Sequence, residues 1–150
     1  RQGVPTLTQT RDKAKEGVRH GAYVLVDTEG TPDVIIMATG SEVQHAVAAA
    51  DTLKGEGINA RVVSFPSMEW FEQQDEDYKE SVLPSDVAAR VSVEAGLAMP
   101  WYRYLGSCGK AVSIEQFGLQ GDGQENMKAL GITPEHVVDA AKASIDEARR

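Results

Sequence analysis

The stretch Asp33-Val-Ile-Ile-Met-Ala-Thr-Gly-Ser-Glu42 decides the predicted fold. Its first half, Val34 to Ala38, is an unbroken apolar run, which is typical of a strand buried on both faces of a parallel sheet. Apolar residues at helical spacing follow up to Leu53, and a second apolar run, Arg61 to Phe65, predicts the next buried strand. The order strand, helix, strand predicts a βαβ unit with a right-handed crossover.

The turn between the first strand and the helix, Thr39-Gly40-Ser41, allows two interpretations. Ser41, followed three residues later by Gln44, matches a capping box that would start the helix. The same turn would also offer backbone N–H groups and the positive end of the helix dipole to an anion. It lacks a GxGxxG pattern and a phosphate-loop lysine. The cap is therefore the favoured interpretation, and Thr39, Gly40 and Ser41 are kept as a candidate anion site.

Composition excludes several functional classes. The 150 residues are 41% hydrophobic and 25% charged, which is typical of one globular domain. The net charge of −8 disfavours nucleic acid, because phosphate contacts need a basic surface. No apolar run approaches the ~20 residues of a membrane helix. The single cysteine, Cys108, permits no internal disulfide, so we expect a cytoplasmic protein without nucleic-acid or membrane partners.

The first 20 residues differ from the rest in charge. They hold five basic and two acidic residues, a net charge of +3, so the other 130 residues carry −11. This segment shows no sustained periodicity, and the sequence opens at Arg1 rather than at a methionine. We therefore predict that residues 1–20 are a basic linker arm from a preceding domain and that residues 21–150 form the folded domain. The arm is either a solvated linker or a segment that docks on another domain.

The remaining pattern completes an α/β domain. Further strands are predicted at Gly21–Asp27, Ala88–Glu94 and Ala111–Phe117. The turn after the first of these is too short for a helical crossover, so that strand would be antiparallel to Val34–Ala38 if the two pair. The sheet then has five strands, four parallel and one antiparallel. One or two short helices are predicted after Pro66, and others at 101–105 and 124–130.

The last helix is the best marked. Thr133 is its predicted N-cap and Pro134 stands at the first helical position. Its apolar residues fall on one face at helical spacing, which predicts that this face is buried: Val137, Val138, Ala141, Ile145 and Ala148.

Catalytic candidates are few. Glu94 and Glu115 lie near strand ends, where open α/β sheets bind ligands, and could form an acid/base pair. We favour carboxylates that cap turns or face water, because no metal cluster and no Ser-His-Asp order accompanies them. Cys108 has no local histidine, and Gly121-x-Gly123 lacks a third glycine. The residues alone therefore predict a compact acidic domain without a visible catalytic constellation.

Eight segments, in matching order, resemble the C-terminal domain of transketolase, and the resemblance covers essentially the whole chain. The loop Leu119–Gly123 departs from the small-residue and proline pattern of many family members. The segments are Arg1-Gln-Gly-Val-Pro5, Gly21-Ala-Tyr-Val-Leu25, Asp33–Val43, Arg61–Ser67, Tyr78–Pro84, Glu94-Ala-Gly96, Trp101–Tyr104 and Phe117-Gly118.

The resemblance implies a three-layer α/β/α fold. It also implies a parent enzyme that is a homodimer, uses thiamine diphosphate and a divalent metal (Mg²⁺ or Ca²⁺), and transfers a two-carbon ketol unit between sugar phosphates. In such enzymes the cofactor, metal and catalytic groups belong to the earlier domains. This segment would then bind no cofactor, would be inactive alone, and would support dimer assembly and the substrate channel.

One site residue carries over from the resemblance. Arg1 matches the family arginine that binds the phosphate of the sugar substrate, and a guanidinium suits that task because it grips phosphate bidentately. Two alternatives remain open. One is a stand-alone regulatory module that binds a phosphorylated metabolite or nucleotide at Thr39–Ser41. The other is an assembly domain like those of related 2-oxo-acid dehydrogenases.

Overall fold

The computed structural model describes residues 4–115 and 122–150. A five-stranded sheet forms its centre, with strand order β1-β3-β2-β4-β5. Strand β1 is antiparallel to β3, and all other neighbouring pairs are parallel. This confirms the predicted mixed sheet. The strands are β1 (Tyr23–Val26), β2 (Val34–Ala38), β3 (Ala60–Ser64), β4 (Arg90–Val93) and β5 (Lys110–Val112).

The predicted antiparallel direction of β1 relative to β2 applied only if the two paired, and they do not pair because β3 lies between them. The predicted end of the last strand is wrong, since that strand ends at Val112 rather than at Phe117. Residues 113–115 lie outside the strand, and residues 116 and 117 lie outside the described part of the chain.

Helices cover both faces of the sheet, which makes the fold a three-layer α/β/α domain. One core cluster joins the sheet to the second and seventh helices, and the other joins it to the third, fourth and fifth. None of the described helices is long and apolar enough to cross a membrane. The helices are α1 (Thr10–Gly17), α2 (Val43–Gly55), α3 (Met68–Glu72), α4 (Glu76–Val82), α5 (Tyr102–Leu105), α6 (Gly123–Ala129) and α7 (Pro134–Ala148).

Strand β2 lies at the centre of the core, as its sequence predicts. All five residues are buried. Because side chains alternate along a strand, Val34, Ile36 and Ala38 enter one core cluster, and Ile35 and Met37 enter the other. Full burial of each large aliphatic side chain contributes about 1.5–3 kcal/mol. This strand therefore holds the two helical layers together.

The N-terminal arm contains a helix that its sequence does not mark. Residues 10–17 form α1, although the first 20 residues show no sustained periodicity. Lys13 donates from Nζ to the Leu25 carbonyl at 3.0 Å and to the Val24 carbonyl at 3.3 Å. These carbonyls belong to an edge strand, where a lysine hinders pairing with another chain. The helix forms because it packs on β1, a tertiary contact that periodicity does not reveal.

Helix α7 follows its predicted cap. The Thr133 hydroxyl accepts a hydrogen bond from the His136 backbone N–H, and Pro134 opens the helix. The predicted apolar face is buried except for Ala148, which is exposed in the last turn. A polar residue that the pattern does not mark, Ser144, lies on that face with no exposed surface.

Ser144 links α7 to two strands. Its hydroxyl donates to the Cys108 carbonyl at 2.7 Å, just before β5. The same oxygen accepts from the Arg90 backbone N–H at 2.9 Å, at the start of β4. Replacing Ser144 by alanine leaves both part-buried backbone groups without this partner. An unsatisfied buried group costs about 1–3 kcal/mol, and less where water can reach it.

We therefore expect Ser144→Ala to lower the free energy of unfolding by about 2 kcal/mol, within that range. Urea denaturation followed by circular dichroism measures the change. Ala143→Ser, on the exposed side of the same turn of α7, is the matched control and is expected to stay within about 0.5 kcal/mol of the unmodified chain. Equal stability of Ser144→Ala and the unmodified chain would contradict the role given to this hydroxyl.

Candidate functional site

The arm and the turn after β2 meet at the carboxyl end of the sheet, where open α/β folds bind ligands. They enclose a pocket of about 430 Å³. No lysine or arginine is among its described lining residues. These are Val4, Pro5, Thr6, Leu7 and Thr10 from the arm, Gly40, Ser41, Val43 and Gln44 from the turn and α2, and Ser64 and Pro66 from the end of β3.

The predicted capping box is wrong. Gly40 has φ +56° and opens a short 3₁₀ turn, so α2 begins only at Val43. The Ser41 hydroxyl donates to the Glu42 carboxylate instead of capping a helical N–H. Gln44 donates from its side-chain amide to the Ser41 carbonyl at 2.9 Å, whereas a capping box would direct that side chain to a backbone N–H.

The charge at this turn bears on the candidate anion site. Glu42 is only 5% exposed, and its carboxylate lies beside the 3₁₀ turn. A buried negative charge at this position opposes the attraction of the helix dipole for an anion. Anion binding by Thr39, Gly40 and Ser41 therefore stays a prediction, and the neighbouring charge works against it.

The two candidate catalytic glutamates hold a loop in place. Glu94 accepts a 2.6 Å hydrogen bond from the indole N–H of Trp101, a residue only 1% exposed. Glu115 accepts from the Ala98 backbone N–H at 3.0 Å and from the Ser113 hydroxyl at 2.8 Å. Both carboxylates thus contact the loop between β4 and α5. That they have no catalytic role stays a prediction.

The hydrogen bonds to Glu115 give a pH prediction. The Ala98 N–H and the Ser113 hydroxyl lower the pKa of this carboxyl below its ordinary value of 4.5. A carboxyl with a lowered folded-state pKa stabilises the fold above its ordinary pKa, and the contribution is lost as pH falls through the folded-state pKa. We expect the Ala98 amide resonance to titrate below pH 4.5 in NMR spectra. Glu115→Gln should abolish that titration, and a midpoint above 4.5 would contradict the assignment.

Other candidates are placed as follows. Arg1 lies outside the described residues, as does most of the loop around Gly121. Cys108 is partly buried and its described contacts include no histidine. Within residues 4–115 and 122–150, no group of three or more His, Cys, Asp or Glu side chains converges on a position where a metal ion could sit.

Comparison with known proteins identifies the family. Residues 21–133 match the family model described as the transketolase-like TK C-terminal domain. The chain is 47% identical over 146 residues to a transketolase of Halalkalibacterium halodurans, covering 97% of this chain and 22% of that protein. It is 50% identical over 150 residues to a transketolase of Mycobacterium leprae, covering 97% of this chain and 21% of that protein.

Comparison with solved structures gives the same family. The chain superimposes on transketolase from Leishmania mexicana with a TM-score of 0.83 and 39% identity, over 90% of this chain and 19% of that one. The chain thus spans about a fifth of the length of the curated relatives it matches. With a family model that covers most of its residues and relatives this similar, the chain belongs to the transketolase-like C-terminal domain family.

Proposed function

We propose that this chain acts as the C-terminal, non-catalytic part of a transketolase. The parent enzyme is a transferase that moves a two-carbon ketol unit between sugar phosphates in the pentose phosphate pathway. The family match over residues 21–133 carries this proposal. In the parent homodimer, the domain supports assembly and shapes the substrate channel, and we place the enzyme in the cytoplasm.

The chemistry is assigned to the domains that precede this one. They would hold thiamine diphosphate, which supplies the carbanion chemistry, together with Mg²⁺ or Ca²⁺. The described side chains support this division, because the two strand-end glutamates are engaged in loop contacts.

Arg1 is the proposed contribution of this chain to substrate binding. A guanidinium grips phosphate with two parallel hydrogen bonds. Val4 lines the pocket at the carboxyl end of the sheet, and three residues of chain span at most about 11 Å. This reach supports placing the substrate phosphate at that end. No contact of the described residues favours the alternative regulatory module at Thr39–Ser41.

Calorimetry tests this division of labour. Thiamine diphosphate with Mg²⁺ is titrated into the parent enzyme and, separately, into these 150 residues. We expect binding to the parent and none to the 150-residue chain. Tight binding to the 150-residue chain would show that the cofactor site had been assigned to the wrong domain.

A further inference from the structure

The pocket between the arm, the start of α2 and the end of β3 contains an unpaired hydroxyl group. Ser64, the last residue of β3, lines this pocket and is only 8% exposed. Within residues 4–115 and 122–150, no group donates a hydrogen bond to the Ser64 hydroxyl or accepts one from it. Most buried polar side chains have a hydrogen-bond partner. The Ser64 hydroxyl is therefore available to a ligand in the pocket.

The other polar side chains of the pocket present mainly acceptors. The Thr10 hydroxyl donates to the Leu7 carbonyl at 2.6 Å, and the Ser41 hydroxyl donates to the Glu42 carboxylate. Gln44 donates from its amide nitrogen to the Ser41 carbonyl at 2.9 Å. A hydroxyl whose proton is engaged can still accept a hydrogen bond, and so can the amide oxygen of Gln44. This wall therefore suits a ligand that carries hydrogen-bond donors.

A buried negative charge lies beside these acceptors. Glu42 is 5% exposed, and the described lysines, arginines and histidines form no ion pair with it. Burial lowers the pKa of His45 below its ordinary value of 6.5, although Glu42 acts in the opposite direction, so His45 is mostly uncharged at pH 7. Charged side chains are rarely buried without a partner of opposite charge. A cation in the pocket would supply that partner.

The remaining walls are apolar, and the space is large. A volume of about 430 Å³ falls within the range of small-molecule sites, roughly 300–1,000 Å³. It is many times the space of one water molecule, about 30 Å³, so a bare ion would leave most of it empty. The apolar lining residues are Val4, Pro5, Leu7, Val43 and Pro66.

We propose that this pocket binds a small organic cation. An ammonium or amidinium head lies toward Glu42 and Ser64 and donates hydrogen bonds to the acceptors of the pocket. An apolar body packs against the aliphatic side chains of the arm and of α2. Anions are disfavoured, because Glu42 repels them. The site is thus distinct in chemistry from the phosphate contact proposed for Arg1, and it uses only residues of this chain.

Three probes of similar shape and different charge test the proposal: benzamidine, which is a cation at pH 7, neutral benzamide and anionic benzoate. Each probe is titrated into the intact parent protein by calorimetry. We expect benzamidine to bind with a millimolar Kd and benzamide to bind about 10-fold more weakly or less, because a charged donor forms the stronger hydrogen bond with a carboxylate. Benzoate should show no saturable binding.

Two variants assign the binding to this pocket. Glu42→Gln keeps the shape of the side chain and removes its charge, so the preference for benzamidine over benzamide should fall to about twofold or less. Ser64→Ala removes a hydroxyl that has no partner among the described residues, and it should weaken benzamidine binding severalfold. Glu29→Gln, at an exposed residue at the opposite end of the sheet, removes the same charge as Glu42→Gln and should change none of the affinities.

Three results would overturn the proposal: no saturable binding of benzamidine to the unmodified parent, benzamidine bound no more tightly than benzamide, or a preference for benzamidine that Glu42→Gln leaves unchanged. If Glu42→Gln does not fold, Ser64→Ala decides, and benzamidine affinity equal to that of the unmodified parent would then place the probe outside this pocket and refute the site.

The outcome is separable from that of the proposed function, because calorimetry measures binding and not turnover. A parent that transfers ketol units but does not bind benzamidine retains the function and refutes the cation site. A parent that binds benzamidine through Glu42 and Ser64 but transfers nothing retains the site and refutes the function.

Discussion

Replacing Arg90 by methionine is expected to lower the free energy of unfolding by about 3 kcal/mol or more. Arg90 opens β4, and its half-buried guanidinium donates only to backbone carbonyls. Nη2 reaches Pro84 at 2.8 Å, Nη1 reaches Tyr104 at 2.9 Å, and Nε reaches Val87 at 3.0 Å. Methionine fills similar space but has no hydrogen-bond donor, so the three carbonyls lose their partner. Each carbonyl left unsatisfied costs about 1–3 kcal/mol, and less where a water molecule replaces the guanidinium.

These bonds join the start of β4 to the chain just before it, at Pro84 and Val87, and to α5, 14 residues further on at Tyr104. Pro84 follows α4, Val87 precedes β4, and Tyr104 belongs to α5. Lysine would keep the charge, but one ammonium group does not reproduce the planar fork of donors. Arg90→Lys is therefore expected to lose most of the same stability, although it conserves charge.

Urea denaturation of the 150-residue chain measures the Arg90 effect. The matched control is Arg103→Met, since Arg103 is 59% exposed and forms a surface ion pair with Glu72 at 3.1 Å. Such pairs contribute about 0–1 kcal/mol. If both variants changed stability by the same small amount, the carbonyl contacts of Arg90 would not have the role described.

Replacing Arg1 by glutamine in the parent enzyme is expected to raise the KM for sugar phosphates about 10- to 100-fold. Hydrogen bonds to charged groups contribute about 1.5–3 kcal/mol, and each 1.4 kcal/mol is a factor of ten. The expected loss is confined to phosphorylated substrates, because in the proposed role the Arg1 guanidinium contacts only the phosphate. The KM of a non-phosphorylated sugar should stay within about twofold, which is well under 1 kcal/mol.

Arg11→Gln provides the matched control, since Arg11 is an exposed residue of the same arm and the substitution removes the same charge. Steady-state kinetics of the unmodified parent enzyme and of its Arg1→Gln and Arg11→Gln variants distinguish a direct contact with the phosphate from general attraction of the substrate by the basic arm. An Arg11→Gln effect as large as that of Arg1→Gln would assign the change to the arm's charge and would remove Arg1 as a specific ligand.

Elements defined by local pattern were predictable from the sequence. Strand β2 has the predicted bounds, Val34–Ala38, because burial on both faces leaves a short apolar run that the following turn residues delimit. The start of α7 was predictable because the cap at Thr133 and the proline at position 134 both exert their effect within the first turn of the helix. The number of strands followed from the apolar runs, and the presence of one antiparallel strand followed from a connection too short for a helical crossover.

Features that depend on distant contacts were not predictable. Arg90 looks like an ordinary strand-end arginine in the sequence. Its hydrogen-bond acceptors are backbone carbonyls, and because every residue has one, no residue type in the sequence marks them. Helix α1 has no buried apolar face to mark it, and it is held by Lys13 and by the close approach of Gly17 to Tyr23. Serine is a common N-cap residue, but the Ser41 hydroxyl donates its hydrogen bond to the adjacent Glu42 carboxylate.

Ketol transfer is the measurement that tests the central claim most directly. The parent enzyme and the 150-residue chain are assayed side by side with thiamine diphosphate, Mg²⁺, a ketose phosphate donor and an aldose phosphate acceptor. We predict two-carbon transfer by the parent and no turnover by the 150-residue chain alone. A parent enzyme that transfers no ketol unit, or turnover by the 150-residue chain, would contradict its assignment as the non-catalytic C-terminal domain of a transketolase.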